Sequence, residues 1–352
     1  MDVPDQPPQR ILVVHNAPAR TPAKGVASDA ISEQEVVAVA REVEVVLRER
    51  GHEVHAFGVT GDLAAFLATL DRVRPDVVFN LCEGIDGDEH HEHLIVQILE
   101  FRRIAYTGCP ARALADSNDK ERAKVILRAS GVPVPESWLV DSLEQAGRPE
   151  IRFPAIVKPV NENASLGIGI DSVVTSRESL LGPVKRVLES YRQPAMVERY
   201  IEGREFNVSV LGGADPEVLP ISEIDYSGLP RGVPRILFYE AKWMEDSPYY
   251  LETPVVCPAR NLSEKVAERI RQIARRSFVA MGCRGYARVD LRVSRGGTPY
   301  VLEVNGNPSL ASNAGLARSA RQAGLDYPAL IGRILDGARP RRDPSGRAGG
   351  SM

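Results

Sequence analysis

The chain has 352 residues, a formal net charge of -3 and a sequence pI near 6.1. This length can bury a substantial core and suggests about two or three domains, while the charge balance gives no indication of binding to nucleic acid or to a membrane surface. No apolar run is long enough to span a bilayer, and the acidic, proline-rich start lacks the apolar core of a signal peptide.

The first 115 residues predict alternating strands and helices. The strand RILVVHN precedes a helix over residues 32–50, whose ends are marked by a capping box of Ser32 and Glu35 and by Gly51. The strands HEVHAFGV, DVVFNL and IAYTG follow, with a short helix and a helix near residues 92–103 between them. This alternation predicts a parallel, Rossmann-like layer with ligand loops at the carboxyl ends of its strands.

The tract DGDEHHEH at residues 86–93 clusters three histidines, but their spacing is poor for one helical face and no second ligand cluster accompanies them. A solvated helix start, with acids that complement the helix dipole, is the better interpretation. The cysteines at positions 82, 109, 257 and 283 are scattered without CxxC spacing. They predict reduced thiols in a cytoplasmic protein, not a disulfide framework or a zinc site.

A second unit is predicted after the linker VPVPES. A helix over residues 118–130 precedes that linker; the strand AIVKPV, the loop NENASLGIGI, a helix near residues 177–190 and the strand AMVERYI follow it. Lys158 ends an apolar strand, where an ammonium group is costly unless it meets an anion. The glycine-bearing loop after it suits phosphate oxygens, although such loops are more often plain turns.

From residue 204 the pattern becomes rich in strands, with one long helix near residues 263–280. The stretch 228–256 has little periodicity and many turn residues, and a loop of that length in a compact protein is usually functional or mobile. The polar residues 338–352 are rich in Arg, Gly and Pro and predict a disordered tail.

The run YARVDLRVSRGGTPYVLEVN predicts a β-hairpin. Gly296 and Gly297 suit a two-residue type I′ turn, which requires positive φ twice. That turn places Asp290 opposite Glu303 and Arg288 opposite Asn305 on one face of the hairpin. The apolar side chains between them would line the other face, namely Val289, Leu291, Leu302 and Val304.

Two carboxylates directly opposite each other repel unless something neutralises them. A divalent cation would do so, and carboxylate and carboxamide oxygens suit Mg²⁺ or Mn²⁺ better than Zn²⁺. The alternative is a solvated polar face without a metal, in which Arg288 is the salt-bridge partner of the acidic pair.

Other polar residues carry weaker signals by themselves. Glu198 and Glu205 flank a turn and are either two surface glutamates or groups near a nucleotide, with Glu205 accepting from ribose hydroxyls. Lys120 and Lys242 are ordinary surface lysines taken singly, and Lys242, beside Trp243 in the long aperiodic stretch, is the better ligand candidate.

The order of these segments resembles the ATP-grasp superfamily and, within it, the D-alanine–D-alanine ligases. The similarity runs from about residue 10 to residue 336 and is strongest in NDKERAK, FPAIVKP, VERYIEGREFNV, FYEAKW, GYARVDL and LEVNGNPS. It implies a mixed α/β and α+β protein: an ATP-grasp fold with an N-terminal Rossmann-like (pre-ATP-grasp) domain. The implied units are a substrate domain over 1–115, a central ATP-grasp lobe over 116–196 and a C-terminal lobe over 197–337.

The resemblance also implies roles for individual residues. Lys120 and Lys158 would hold the α- and β-phosphates of ATP, and Lys242 the γ-phosphate. The other implied ATP-binding residues are Ser165 and Gly167 in the closing loop, Glu198 and the backbone of Arg199–Ile201 at adenine, and Glu205 at the ribose. Two Mg²⁺ ions would be held by Asp290, Glu303 and Asn305. Arg288 would stabilise an acylphosphate, and the 228–256 segment would be the lid that excludes water.

The amino-acid pocket departs from the family pattern. Glu33 falls where the family binds the first substrate's ammonium, but the serine and tyrosine usually linked to it correspond to Ala164 and Trp243. Glu83 stands in place of a histidine. Ser309, which we place with Arg288 and Lys242 in the catalytic set, replaces a usual glycine, and Ala314 replaces a serine that holds the second substrate's carboxylate.

These replacements predict an ATP-dependent carboxylate–amine ligase that acts on small amino-acid or amine substrates, with an acceptor that is not D-alanine. The alternatives are a genuine D-alanine–D-alanine ligase and a nucleotide-binding regulatory protein without turnover. The family alone implies a homodimer. A Rossmann-type dehydrogenase is excluded because no GxGxxG follows the first strand.

Overall fold

The computed structural model describes residues 7–17, 31–148, 150–212 and 215–338, apart from the side chains of residues 31–34. The predicted tail, 338–352, lies outside this part of the chain except for residue 338. Within the described ranges no helix is both long and apolar enough to cross a membrane.

The N-terminal region forms a four-stranded parallel sheet in the order β2-β1-β3-β4. Its elements are β1 (Arg10–Asn16), α1 (Ile31–Glu49), β2 (Glu53–Val59), α2 (Leu63–Val73), β3 (Val77–Leu81), α3 (Glu92–Phe101) and β4 (Ala105–Tyr106). The predicted parallel layer is therefore present. Gly51 adopts φ of 86° and its amide donates to the Arg48 carbonyl, as expected for a helix stop. The predicted start is wrong, because α1 already includes Ile31 and Ser32 is not its N-cap.

A second, antiparallel sheet follows, with the order β5-β8-β6-β7. Two helices precede it, and the second begins at Lys120, where the Asp119 side chain accepts from the Arg122 amide. The elements are α4 (Ala111–Ser117), α5 (Lys120–Ala129), β5 (Ser137–Val140), β6 (Ala155–Pro159), β7 (Val173–Val174), α6 (Arg177–Arg186) and β8 (Ala195–Arg199).

The C-terminal sheet has the order β12-β11-β9-β13-β14, and β10 also pairs with β9. Its elements are β9 (Gly203–Gly212), β10 (Glu217–Val218), β11 (Ser222–Ile224), α7 (Tyr239–Trp243), β12 (Val255–Val256), α8 (Glu264–Ala280), β13 (Gly285–Ser294), β14 (Pro299–Asn305), α9 (Gly315–Gln322) and α10 (Tyr327–Asp336). The exact boundaries of the three predicted units stay a prediction.

The hairpin of β13 and β14 has the predicted pairs at the site but not the predicted turn. Asp290 lies opposite Glu303 and Arg288 opposite Asn305. The turn is longer than two residues, with only Gly297 at positive φ (77°), and the register shifts by one between Asp290 and Leu291. The longer turn shifts the strand register by one residue, and the bulge shifts it back, so the pairs at the site are those predicted. The bulge also corrects the expected position of Leu302, which lines the cavity described below.

Candidate active site

One large cavity, of about 1120 Å³, receives side chains from all three sheets and from the loops that follow their strands. It brings together most of the residues that the sequence identified. Those lining it are Glu83, Lys120, Lys158, Ser165, Glu198, Arg199, Ile201, Glu205, Lys242, Trp243, Arg288, Asp290, Glu303, Asn305, Ser309 and Ala314. The side chain of Glu33 lies outside the described residues, and Glu35, two positions later, lines the cavity.

The β13–β14 hairpin contributes the candidate metal ligands. Asp290 accepts from the Asn207 amide at 2.7 Å and from Arg288, whose Nε and Nη2 lie 2.8 and 2.7 Å from its two oxygens. Arg288 Nη2 also lies 4.0 Å from Glu303 Oε1. Arg288 is thus the ion-pair partner of Asp290, as the alternative interpretation expected, and this pairing leaves the oxygens of Glu303 and Asn305 on the same face. Two carboxylates and a carboxamide are a donor set that fits Mg²⁺ or Mn²⁺.

Positive charge around Glu303 determines its ionisation. Burial raises the pKa of this carboxyl, but Lys120, Lys158, Arg288 and Lys242 outweigh burial and lower the pKa to about 2. Glu303 is therefore ionised at neutral pH and presents a carboxylate to the cavity.

A buried ion-pair network holds Glu198 below the cavity. Lys158 Nζ lies 3.1 Å from Glu198 Oε1, and Lys124 pairs with the other oxygen. The anion that Lys158 was predicted to require is therefore a glutamate of the protein itself. The sequence analysis missed Lys124, although it lies four residues after Lys120 and so on the same face of α5.

Glu205 is held by two groups at the adjoining part of the cavity. Its Oε2 accepts from Arg292 Nη1 at 3.2 Å and from the Tyr226 hydroxyl at 3.0 Å. The amides of Arg199 and Tyr200 donate to backbone carbonyls at 2.8 and 2.9 Å. These two amides are therefore already occupied, so the Ile201 amide and the carbonyls of the 199–201 backbone are the better candidates for reading a base. We call the ion-paired groups the paired wall: Lys124, Lys158, Glu198, Glu205, Arg292, Arg288 and Asp290.

The glycine-bearing loop is tied to the segment that was predicted to be a lid. Ser165 Oγ donates to the Leu237 carbonyl at 2.8 Å, and Trp243 Nε1 donates to the Ala164 carbonyl at 2.9 Å. The Tyr239 amide donates to the Ile168 carbonyl at 3.0 Å. The 228–256 stretch is thus not structureless, since it contains α7 and a small apolar cluster that packs on the central lobe.

Gly167 has a structural position and does not line the cavity. Its φ is 74°, and a Cβ there would lie 2.5 Å from Pro159 Cγ and 3.1 Å from the Tyr191 ring. Only glycine fits this turn without displacing Pro159, and the place of Gly167 in a loop that covers phosphates stays a prediction.

Four carboxyl groups line the N-terminal side of the same cavity, and we call them the acidic wall: Glu35, Glu83, Glu89 and Glu92. Burial and the neighbouring Glu89 and Glu35 raise the pKa of Glu83 to about 8. Burial and Glu162 raise that of Glu89 to about 7. The predicted solvated helix start is wrong here, because Glu92 is 5% exposed and Glu89 faces the cavity. Of this wall, the sequence analysis identified only Glu83 as a site residue.

The divergent pocket residues take well-defined places. Lys242 Nζ lies 5.1 Å from the centre of the Trp243 ring, a distance typical of a cation–π contact. Ser309 Oγ accepts from the Ala311 amide at 3.3 Å. Ala314 precedes α9 and offers its first turn no side-chain hydrogen bond.

Comparisons with known proteins identify the family of the chain. A model of the D-ala D-ala ligase C-terminus matches residues 127–336. The chain is 36% identical over 311 residues to the uncharacterized protein y4sG of Sinorhizobium fredii, covering 86% of this chain and 88% of that protein. It is 34% identical over 293 residues to a D-alanine–D-alanine ligase of Chromohalobacter salexigens, covering 81% and 84%.

A solved structure shares the whole fold. The D-alanine–D-alanine ligase of Bacillus anthracis complexed with ATP superposes with a TM-score of 0.70 at 22% identity, over 94% of this chain and 97% of that one. The predicted ATP-grasp fold is confirmed, and fold and cavity together define an ATP-dependent ligase. The chain belongs to the D-alanine–D-alanine ligase family.

Proposed function

We propose that the protein joins a carboxylate to an amine through an acylphosphate, with an acceptor other than D-alanine. The observation that carries this proposal is the chemistry at the substrate end of the cavity. There Ala314 lacks a hydroxyl at the start of α9, and Glu83 belongs to a group of carboxyls. A second amino acid with a free carboxylate would find no hydroxyl at Ala314, and it would lie in the same cavity as carboxyl groups whose own ionisation is already disfavoured by burial.

The nucleotide site follows from the paired wall and its neighbours. We assign Lys120 and Lys158 to the α- and β-phosphates, Lys242 to the γ-phosphate and Glu205 to the ribose. The remaining assignments are Glu198 and the 199–201 backbone at adenine, Ser165 in the covering loop, and Glu33 at the first substrate's ammonium. Asp290, Glu303 and Asn305 would hold two Mg²⁺ (or Mn²⁺) ions, whose charge neutralises the transferring phosphoryl group.

The reaction then takes two steps. An oxygen of the donor carboxylate attacks the γ-phosphorus, and the bond to ADP breaks. The acceptor amine attacks the acyl carbon, phosphate leaves and the nitrogen loses a proton, which completes the amide. We assign Arg288, beside Asp290, to stabilise the acylphosphate and the oxyanion of the second step, and Ser309 to the same catalytic set.

Exclusion of water is the further requirement, because hydrolysis of the acylphosphate consumes ATP without a product. Trp243 and Ser165 supply it by fastening the α7 segment to the 161–169 loop over the cavity. The cation–π contact with Trp243 would also hold the Lys242 ammonium at the cavity.

The names of the relatives favour a second candidate, synthesis of D-alanyl-D-alanine itself. Screening of amino-acid and amine acceptors for ADP and phosphate release, with mass spectrometry of the products, separates the two. We expect an acceptor other than D-alanine to give the highest kcat/KM. Robust D-alanyl-D-alanine formation with no better acceptor would overturn the proposal, and absence of ADP release with every pair would favour a regulatory ATP-binding protein.

The expected oligomeric state and cellular location remain predictions. Light scattering at several protein concentrations tests the homodimer. The four cysteines, Cys82, Cys109, Cys257 and Cys283, are free thiols in the structure, which agrees with the reduced state that the sequence predicted.

A further inference from the structure

Glu205 in the paired wall has one occupied oxygen and one available oxygen. The strand register places it directly opposite Arg292, on the neighbouring strand β13. Its Oε2 accepts from Arg292 Nη1 at 3.2 Å and from the Tyr226 hydroxyl at 3.0 Å, and two donors fill the lone pairs of one carboxylate oxygen. No hydrogen bond reaches Oε1 from the part of the chain that the structure describes, and Glu205 lines the cavity. A ligand hydroxyl can therefore bind at Oε1 only.

Arg292 is held by several acceptors besides Glu205. Its side chain is 3% exposed, and Nη1 also donates to the Arg235 carbonyl at 2.6 Å. Nη2 donates to the Gly203 carbonyl at 2.9 Å, and the guanidinium lies 4.8 Å from the centre of the Tyr200 ring. Movement of Arg292 away from Glu205 would break these contacts together and leave a buried charge unpaired, which is costly. The pairing of Oε2 is therefore expected to persist when a ligand fills the cavity.

The close approach of two strands explains how Arg292 reaches these acceptors. Gly203, at the start of β9, has φ of 152°, and a Cβ there would lie 1.9 Å from the Val293 carbonyl oxygen. Only glycine lets the two backbones come this close, which brings the Gly203 carbonyl within reach of the guanidinium. Arg235 belongs to the 228–256 segment, so the same side chain also fastens that segment to β13. Arg292 thus joins Glu205, β9 and the 228–256 segment in one arrangement.

The occupied oxygen limits how Glu205 can bind a ribose. A carboxylate with both oxygens available can accept both ribose hydroxyls, one on each oxygen, but Arg292 and Tyr226 already fill Oε2. We propose that Arg292 is a positioning residue for nucleotide binding, which directs Glu205 Oε1 to a single ribose hydroxyl and leaves the other hydroxyl without a partner on Glu205. This rests on the proposed function, because that function assigns Glu205 to the ribose.

Calorimetric binding of nucleoside diphosphates to the full chain, with Mg²⁺ present, tests how many hydroxyls Glu205 binds. The probes are ADP, 2′-deoxy-ADP, 3′-deoxy-ADP and 2′,3′-dideoxy-ADP, which have no γ-phosphate to transfer. We expect one monodeoxy form to bind about tenfold or more weakly than ADP, as loss of a hydrogen bond to a charged group does, and the other to bind within about twofold of ADP. The dideoxy form should match the weaker monodeoxy form.

Two other patterns would contradict this expectation. Comparable losses for both monodeoxy forms, which combine in the dideoxy form, would mean that both hydroxyls are bound and would overturn the inference. Equal binding of ADP and all three analogues would overturn it as well, because Glu205 would then bind neither hydroxyl.

Arg292→Met tests whether Arg292 causes this selectivity. Without the guanidinium, Glu205 Oε1 is no longer held towards the ribose, so the penalty for the missing hydroxyl should shrink to about threefold or less. Arg292→Lys, whose ammonium can still pair with Glu205, should restore most of the penalty. Arg295→Met is the matched control and should leave the penalty unchanged, since Arg295 is 85% exposed and pairs with Glu202 outside the cavity. If Arg292→Met weakens all four nucleotides by the same factor, its role is merely structural and the inference is overturned.

The outcome is independent of turnover. Dependence of binding on one hydroxyl, without ADP release from ATP with any substrate pair, would support this inference and overturn the ligase proposal. Amide formation, together with equal dependence on both hydroxyls, would keep the ligase proposal and overturn this inference. Should Arg292→Met fail to fold, Tyr226→Phe removes the other donor to Glu205 Oε2 and should reduce the same penalty. An unchanged penalty in that variant would count against the inference equally.

Discussion

The two sides of the cavity handle charge in opposite ways. On the paired wall each ionised group has an oppositely charged partner, as in the pairs of Arg288 with Asp290 and of Arg292 with Glu205. On the acidic wall carboxyl groups lie beside one another, and burial and the neighbours Glu89 and Glu35 raise the pKa of Glu83 to about 8. The paired wall neutralises its charges by ion pairing, whereas the acidic wall lowers its charge by holding protons.

This difference follows the division between nucleotide binding, which is common to the family, and substrate choice, which varies. Every member of a ligase family must bind the same nucleotide. The charged groups of the paired wall can therefore be arranged before ATP binds, and phosphates can then replace some of their partners. The substrate differs between enzymes, and a wall whose carboxyl groups can gain or lose protons would favour some substrates over others. The predictions below disturb one wall at a time.

The largest effect is expected from Glu303→Gln on the hairpin. Removing one charge from the proposed metal face should lower kcat for ADP release by at least about 100-fold, as loss of transition-state charge stabilisation does. A coupled ADP assay across Mg²⁺ concentrations measures it, with Glu202→Gln as the matched control. Activity within about twofold of the unsubstituted protein would show that Glu303 holds no essential ion.

Lys124→Met tests whether the paired wall depends on its buried network. Lys124 is 2% exposed, and its removal leaves Glu198 with Lys158 alone. We expect the free energy of unfolding in urea to fall by about 3 kcal/mol. Lys185→Met, which removes an exposed lysine 3.8 Å from Glu189, should cost no more than about 0.5 kcal/mol. Equal losses for the two variants would contradict a special role for Lys124.

Gly167→Ala tests the turn that positions the phosphate-covering loop. The φ of 74° and the approach of Pro159 predict a loss of about 1–3 kcal/mol in unfolding free energy and a higher KM for ATP. Gly147→Ala serves as the control, since nothing lies within 4 Å of an added Cβ there. An unchanged KM would show that the loop tolerates this strain without moving.

The acidic wall is expected to make stability depend on pH. Burial, with Glu89 and Glu35 nearby, raises the pKa of Glu83 from 4.5 to about 8, although Lys242 and Arg288 act to lower it. The resulting stability is complete below the lower value and is lost as pH rises through the higher one. Glu83→Gln should therefore melt above the unsubstituted protein at about pH 9 and lose this advantage near pH 5. An equal difference in melting temperature between the two proteins at both pH values would contradict the raised pKa of Glu83.

The sequence allowed the fold and the nucleotide side to be predicted, for a physical reason. The ligands of the hairpin lie in one local pairing, so strand alternation and two glycines were enough to place Asp290 opposite Glu303. The success was partly fortuitous, because an extra turn residue and a bulge at Leu302 cancelled each other. Residues on one face of a helix can be predicted in the same way. The four-residue spacing of Lys120 and Lys124 offered that signal, although the sequence analysis did not use it.

The acidic wall could not be predicted in the same way. Glu35 lies on α1, while Glu83 and Glu89 lie in the loop and short helical turn between β3 and α3. Their convergence depends on how the N-terminal sheet presents its carboxyl edge, which no local pattern specifies. The tract DGDEHHEH was interpreted from its charge alone, and charge favours solvent unless the fold buries it.

The three hydrogen bonds between the 161–169 loop and the α7 segment determine how often these two segments separate. At about 1 kcal/mol of net stabilisation each, they hold the two segments together by roughly 3 kcal/mol, so the separated form is on the order of one molecule in a hundred. Where entry to the cavity needs the two segments apart, these hydrogen bonds would slow both the binding of substrates and the departure of ADP.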